Sequence, residues 1–87
     1  MRLQDQVILI TGSTTGIGAA MARLFVKEGA KVILHGRNLA RADALRNELG
    51  PENSAFVQGD LRDPEGPGRI AREALACFGK LDCLVNN

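Results

Sequence analysis

The chemistry this 87-residue sequence can offer is concentrated in one stretch, Thr11-Gly12-Ser13-Thr14-Thr15-Gly16-Ile17-Gly18. It follows a branched aliphatic run, Val7-Ile8-Leu9-Ile10, and precedes an apolar pattern of helical period. Three glycines at a strand-to-helix turn suit an anionic ligand. Gly12 permits the tight turn out of the strand, Gly16 lets a diphosphate approach the backbone with no Cβ between them, and Gly18 lets the helix pack closely on the strand. Free amides at the helix start and the positive end of its dipole favour phosphate, and Ser13, Thr14 and Thr15 add hydroxyl donors. A phosphate loop of the nucleotide-hydrolase kind is excluded, because no Gly-Lys-Ser/Thr closes the motif.

The second informative stretch is His35-Gly36-Arg37-Asn38, at the end of the next aliphatic run. A dinucleotide site selective for NAD places a carboxylate there, about 20 residues after the glycines, to hold the ribose 2′-hydroxyl. Gly36 stands at that place and repels nothing, while Arg37 offers a planar cationic fork to a 2′-phosphate. NADP is therefore the expected cofactor and NAD the alternative; a solvated turn is the bland reading of Arg37. His35 reads as a structural strand-end residue, with a place in the lining of the adenosine pocket as the alternative. Asp60 and Asp63 do not form an acid–base pair, since Asp63 fits a helix cap. Cys77, Cys83 and the single His35 fall short of the roughly four ligands of a zinc set, and the cysteines read as reduced structural thiols.

The elements that must position these residues alternate between short β-rich runs and helical periods, the signature of βαβ units around a parallel sheet. Strands are expected at Val7–Ile10, Val32–His35, Ala55–Gly59 and Leu81–Val85. The first helix presents Ile17, Ala20, Met21, Leu24 and Phe25 as its apolar face and ends at Gly29. The second has Asn38 as N-cap, Ala42, Leu45 and Leu49 as its stripe, and Gly50-Pro51 as its stop. The third carries Ile70, Ala71, Ala74, Leu75 and Phe78 and ends at Gly79; Asp63-Pro64 could open it, or it begins at Pro67. Right-handed crossovers then give the strand order 3-2-1-4, with two helices on one face and the third on the other.

The spacing T-G-x-x-x-G-x-G resembles that of the short-chain dehydrogenase/reductase family. Gly59-Asp60-Leu61 resembles the family's adenine-contacting dipeptide, and Leu81-Asp82-Cys83-Leu84-Val85-Asn86-Asn87 resembles its L-D-x-L-V-N-N-A-G stretch. The resemblance implies a partial Rossmann fold of class α/β, with residues 1–87 as the N-terminal dinucleotide-binding portion of one domain and the family's C-terminal strands and helices lacking. It implies that Gly12 to Gly18, Arg37 with Asn38, Asp60, Leu61 and Asn87 bind the cofactor, that Asn86 stabilises the sheet, and that Thr11 is a structural partner. It also implies hydride transfer between NADP(H) and an alcohol or carbonyl, driven by Ser, Tyr and Lys in a Y-x-x-x-K arrangement. The sequence has no tyrosine, so no catalytic residue is assigned and these residues alone are expected to be inactive. A non-catalytic nucleotide-binding or interaction module is the alternative, and a homo-oligomer is expected of the complete enzyme.

Composition adds exclusions. A net charge of +1 gives no reason to expect nucleic acid or an anionic membrane as partner. The apolar runs are far shorter than the roughly 20 residues that span a bilayer, and Asp5 interrupts any signal-peptide core. A cytoplasmic location is expected. With its fourth strand at the sheet edge and one sheet face covered by a single helix, so short a chain is expected to be only marginally stable alone and to bind NADP weakly.

Overall fold

Branched aliphatic residues without polar alternation belong in strands covered on both faces. In the computed structural model, which describes residues 2–87, β1 (Val7–Ile10) is buried at every position. It is followed by α1 (Gly16–Lys27), β2 (Lys31–Gly36), α2 (Leu39–Leu49), β3 (Ser54–Gln58), α3 (Gly66–Phe78) and β4 (Cys83–Val85). All pairings are parallel and the order is β3-β2-β1-β4. β1 is central, with Ile10 level with Leu34 on one side and Val85 on the other. The architecture is the α/β, partial Rossmann arrangement with the anticipated strand order.

Strand alternation divides the core in two. Ile8, Ile10, Val32 and Leu34 face α1 and α2, where they meet Ala19, Ala22 and Leu45. Val7, Leu9, Ile33 and Val57 face the other way, against Ile70 and Ala74 of α3. The chain reverses its direction of winding between β1 and β4, and the carboxyl ends of the strands open at that switch.

The apolar face of α1 differs from expectation. Ile17 is 73% and Leu24 56% exposed, Ala20 is exposed, and the buried residues are Gly18, Ala19 and Ala22. Close approach of the helix backbone to the sheet selects the small residues; Met21, Phe25 and Val26 pack at the rim of that contact. In α3 the same rotation leaves Ala71 and Leu75 outside and brings in Cys77 beside Ile70, Ala74 and Phe78. Its N-cap is Glu65 rather than Asp63. Asp63 instead holds the preceding turn, its carboxylate accepting from the Glu65 amide at 3.1 Å and its carbonyl from the Gly66 amide at 2.9 Å. Pro67 lies in the first turn, where no amide is needed.

β4 is shorter than the expected Leu81–Val85 because Asp82 replaces ladder bonds with its side chain. Its Oδ2 accepts from the Val7 amide at 2.8 Å, and its own amide donates to the Val7 carbonyl at 2.9 Å. That pair, with Lys80 at 3.0 Å, holds the Asp82 carboxyl below the usual carboxylate range. No helix among the described residues is long and apolar enough to cross a membrane.

Candidate functional site

The glycine loop leaves β1 through Gly12 and reaches α1 through Gly16, with φ values of 59° and 58° that other L-residues adopt only at a cost. Around Gly16 an added Cβ would meet nothing within 4 Å, so the backbone lies open to an approaching group. Gly18 is the reverse. A Cβ there would lie 2.6 Å from the Gly12 carbonyl oxygen and 2.7 Å from Ser13 Cα. The N-cap residue Thr15 makes no side-chain capping bond, and the first turn of α1 carries no acidic residue. Its orphan amides and dipole end therefore face outward without a local acceptor. By contrast α2 is capped by Asn38, whose Oδ1 accepts from the Arg41 amide at 3.0 Å.

The earlier half of the loop is tied down instead. Thr11, Gly12 and Ser13 each commit their amides inside the protein: to the Val85 carbonyl at 3.0 Å, to His35 Nδ1 at 3.1 Å and to the His35 carbonyl at 2.9 Å. Ser13 departs from its expected role as a phosphate donor. It is completely buried, and its Oγ accepts from the His35 amide at 2.8 Å while lying 3.4 Å from the His35 carbonyl. The accessible hydroxyls of this loop are those of Thr14, half-buried, and Thr15, exposed. From the other side, Asn87 donates its amide to Thr11 Oγ1 at 3.1 Å and its side-chain Nδ2 to the Gly12 carbonyl at 3.0 Å. Thr11 is the structural partner anticipated from its position, with Asn86 Oδ1 at 3.5 Å.

A cleft of about 350 Å³ opens at the carboxyl ends of the strands, and Gly12, Arg37, Asp60, Leu61 and Asn87 converge on it together with His35 and Arg62. Asp60 is the electrostatic centre. Arg62 grips it through Nε at 3.1 Å, Nη2 at 2.9 Å and its backbone amide at 2.9 Å. These contacts, with Arg37 at 3.6 Å, hold the Asp60 carboxyl at about 2. It remains ionised through the neutral range and acts as an acceptor, not as an acid. Gly36 is tight as well as uncharged, since a Cβ there would meet Thr14 Oγ1 at 3.0 Å. An aspartate at this place would push on the loop as well as add charge.

Of the residues expected at the site from sequence, the cleft brings together Gly12, Arg37, Asp60, Leu61 and Asn87. Asn38 caps α2 and does not line the cleft. Arg62 went unnoticed, although a cation two places after Asp60 is spaced for such a grip. Among the described residues no group of three His, Cys, Asp or Glu side chains is placed to hold a metal ion. Cys77 and Cys83 are both free; burial pushes the Cys77 thiol up.

Residues 6–87 match the short chain dehydrogenase family. The chain is 39% identical to rat (Rattus norvegicus) dehydrogenase/reductase SDR family member 7B, over 98% of this chain and 29% of that protein. It is 38% identical to mouse (Mus musculus) L-fucose dehydrogenase, over 99% of this chain and 31% of that one. Among solved structures, a short chain dehydrogenase/reductase family protein superposes with a TM-score of 0.87 at 38% identity, covering 100% of this chain and 35% of the other. The 3-ketoacyl-(acyl-carrier-protein) reductase of Brucella melitensis, complexed with NADH, gives 0.87 at 36% identity, covering 94% and 33%. The chain thus spans about a third of the length of these relatives. With this match running from β1 through the glycine loop to Asn87, the chain belongs to the short-chain dehydrogenase/reductase family and carries its N-terminal portion.

Proposed function

We propose that residues 1–87 form the N-terminal dinucleotide-binding portion of a single Rossmann domain, binding NADP(H) in preference to NAD(H). The observation that carries this reading is the joining of two features at one strand edge. The start of α1 carries uncapped amides suited to a diphosphate, and the Arg37–Asp60–Arg62 cluster lines the cleft beside it, suited to an adenosine with a further phosphate. The open backbone at Gly16 fits a diphosphate, and the absence of a carboxylate at Gly36 beside Arg37 fits a 2′-phosphate. Thr14 to Gly18 would supply the amides and hydroxyls, Arg37 the charge-assisted bonds to the 2′-phosphate, and Asp60 with Leu61 the adenine edge. Asn87 would hold the loop against the ribose side.

The nicotinamide supplies hydride chemistry when bound. In the complete enzyme this serves an NADP-dependent exchange between an alcohol and a carbonyl, acting as a homo-oligomer in the cytoplasm, with no nucleic acid or membrane partner. The proton donor is not among these 87 residues, which include no tyrosine.

Fluorescence titration of the full chain with NADPH and NADH tests the reading. NADPH is expected to bind more tightly. Arg37→Ala removes a charge-assisted bond worth about 1.5–3 kcal/mol, which converts to roughly 10- to 150-fold weaker NADPH binding, with NADH little changed. Equal loss for both cofactors, or no loss for either, would overturn the assignment of Arg37.

A further inference from the structure

We propose that His35 is a positioning residue of the dinucleotide site, and that its neutral Nε2–H tautomer couples the glycine loop to the carboxyl end of β3. The inference rests on the dinucleotide reading above and adds a control element to that site. His35 is 5% exposed, and both ring nitrogens are engaged. Nδ1 accepts from the Gly12 amide at 3.1 Å, and Nε2 lies 2.9 Å from the Gly59 carbonyl. An amide can only donate and a carbonyl can only accept, so the ring carries its proton on Nε2. One imidazole thus links the residue that starts the phosphate loop to the residue just before Asp60.

The link is selective in its chemistry. A second proton would turn Nδ1 into a donor facing the Gly12 N–H, and that arm would break while the Gly59 arm stayed intact. The loop would then lose one of the bonds that fix Gly12 at φ 59° and aim the amides that follow it. The charged groups around the ring hold fixed charges. Arg37 continues from β2, Arg62 follows β3, and Arg69 of α3 reaches over to donate to the Gln58 carbonyl at 2.7 Å. These are permanent cations, and Asp60 stays ionised. Among the described residues lining the cleft, β1, its loop and the segment after β4 contribute Thr11, Gly12 and Asn87, none of them ionisable.

His35 is the single histidine of the chain, so a ¹⁵N spectrum of the imidazole reads its state without ambiguity. In the full chain the spectrum is expected to show Nε2 protonated and Nδ1 bare, with slow hydrogen exchange at the Gly12 amide. NADH, which lacks a 2′-phosphate with its own titration near pH 6, is then titrated at a pH where the ring is neutral and at one where it is imidazolium. Affinity and Gly12 protection should both fall in the imidazolium state. His35→Asn supplies an acceptor at the Nδ1 position that does not protonate, and should show no such fall across the same two conditions. His35→Gln, which reaches Gly59 but offers nothing to Gly12, should bind weakly at both. An Nδ1–H tautomer, or NADH affinity equal in the two ring states and all three proteins, overturns the proposal alone. Failure of the wild-type chain to bind any dinucleotide at either pH, with the ¹⁵N signature present, overturns the dinucleotide reading and this role with it.

Discussion

Gly18 and Gly68 are both the third residue of their helices, α1 and α3, yet replacing each with alanine should have opposite effects. Alanine normally gains about 0.5–1 kcal/mol over glycine inside a helix. At Gly68 an added Cβ meets only the Arg72 Nη1 at 3.3 Å, the far end of a flexible side chain, so the gain should survive. At Gly18 it would lie 2.6 Å from the Gly12 carbonyl oxygen and 2.7 Å from both Ser13 Cα and Asn87 Nδ2. Carbon contacts settle near ~3.5–4.0 Å, so α1 would have to retreat from the loop by most of an ångström. The loop cannot yield instead, because Gly12 and Ser13 are bonded to His35 and the Gly12 carbonyl to Asn87. Overpacking of this kind costs roughly 1–3 kcal/mol. Helix propensity cancels between the two variants, so that cost is the expected stability gap between them. Urea unfolding of both variants measures it, and a dinucleotide titration should show Gly68→Ala unchanged and Gly18→Ala weakened. Equal stability of the two variants would refute the claim that close backbone approach, rather than flexibility, requires glycine at position 18.

Other expectations follow from single contacts. The depressed Asp82 carboxyl stabilises the fold above the ordinary aspartate range near ~4 and loses that contribution as pH falls through its lowered folded value. Asp82→Asn should therefore be less stable at neutral pH with a flatter acid limb in pH-dependent melting; a curve parallel to wild type would count against the Val7–Asp82 pair. Thr11→Val keeps the shape but strips the acceptor from the Asn87 amide, and should cost about 1 kcal/mol in urea melts. Leu45→Ala, in a residue 4% exposed between α2 and the sheet, should cost about 2–5 kcal/mol, with the dinucleotide preference left intact.

Strand order, helix sides and the glycine loop were legible because each depends on short-range signals: continuous aliphatic runs, glycines at fixed spacing, and crossovers of one hand. The buried face of α1 was not, because Ile17 and Leu24 satisfy helical period as well as the true face does. Only the close approach of the helix to the sheet and its loop selects Gly18, Ala19 and Ala22. Ser13 looked like a phosphate donor because it stands in a run of loop hydroxyls; its partner lies 22 positions away and no local pattern records it. His35 left a faint signal. A polar ring ending an apolar strand, flanked by Gly36, reaches the Gly12 amide on one side and the Gly59 carbonyl on the other. Arg62 was hidden by its surroundings, since charged residues in a turn normally read as solvated.

The fastening of the glycine loop also sets an order of events during synthesis. His35 lies 23 positions beyond Gly12, while the Asn87 contacts to Thr11 and Gly12 span 76 and 75 positions. A ribosome adding about 5–20 residues per second delivers Asn87 roughly 4–15 s after the loop has emerged. Once His35 has followed and until Asn87 does, the nascent segment is steadied from the β2 side alone, and its other flank is open to chaperones or proteases. Substitutions at His35 should therefore lower the yield of folded protein in cells by more than their equilibrium stability implies.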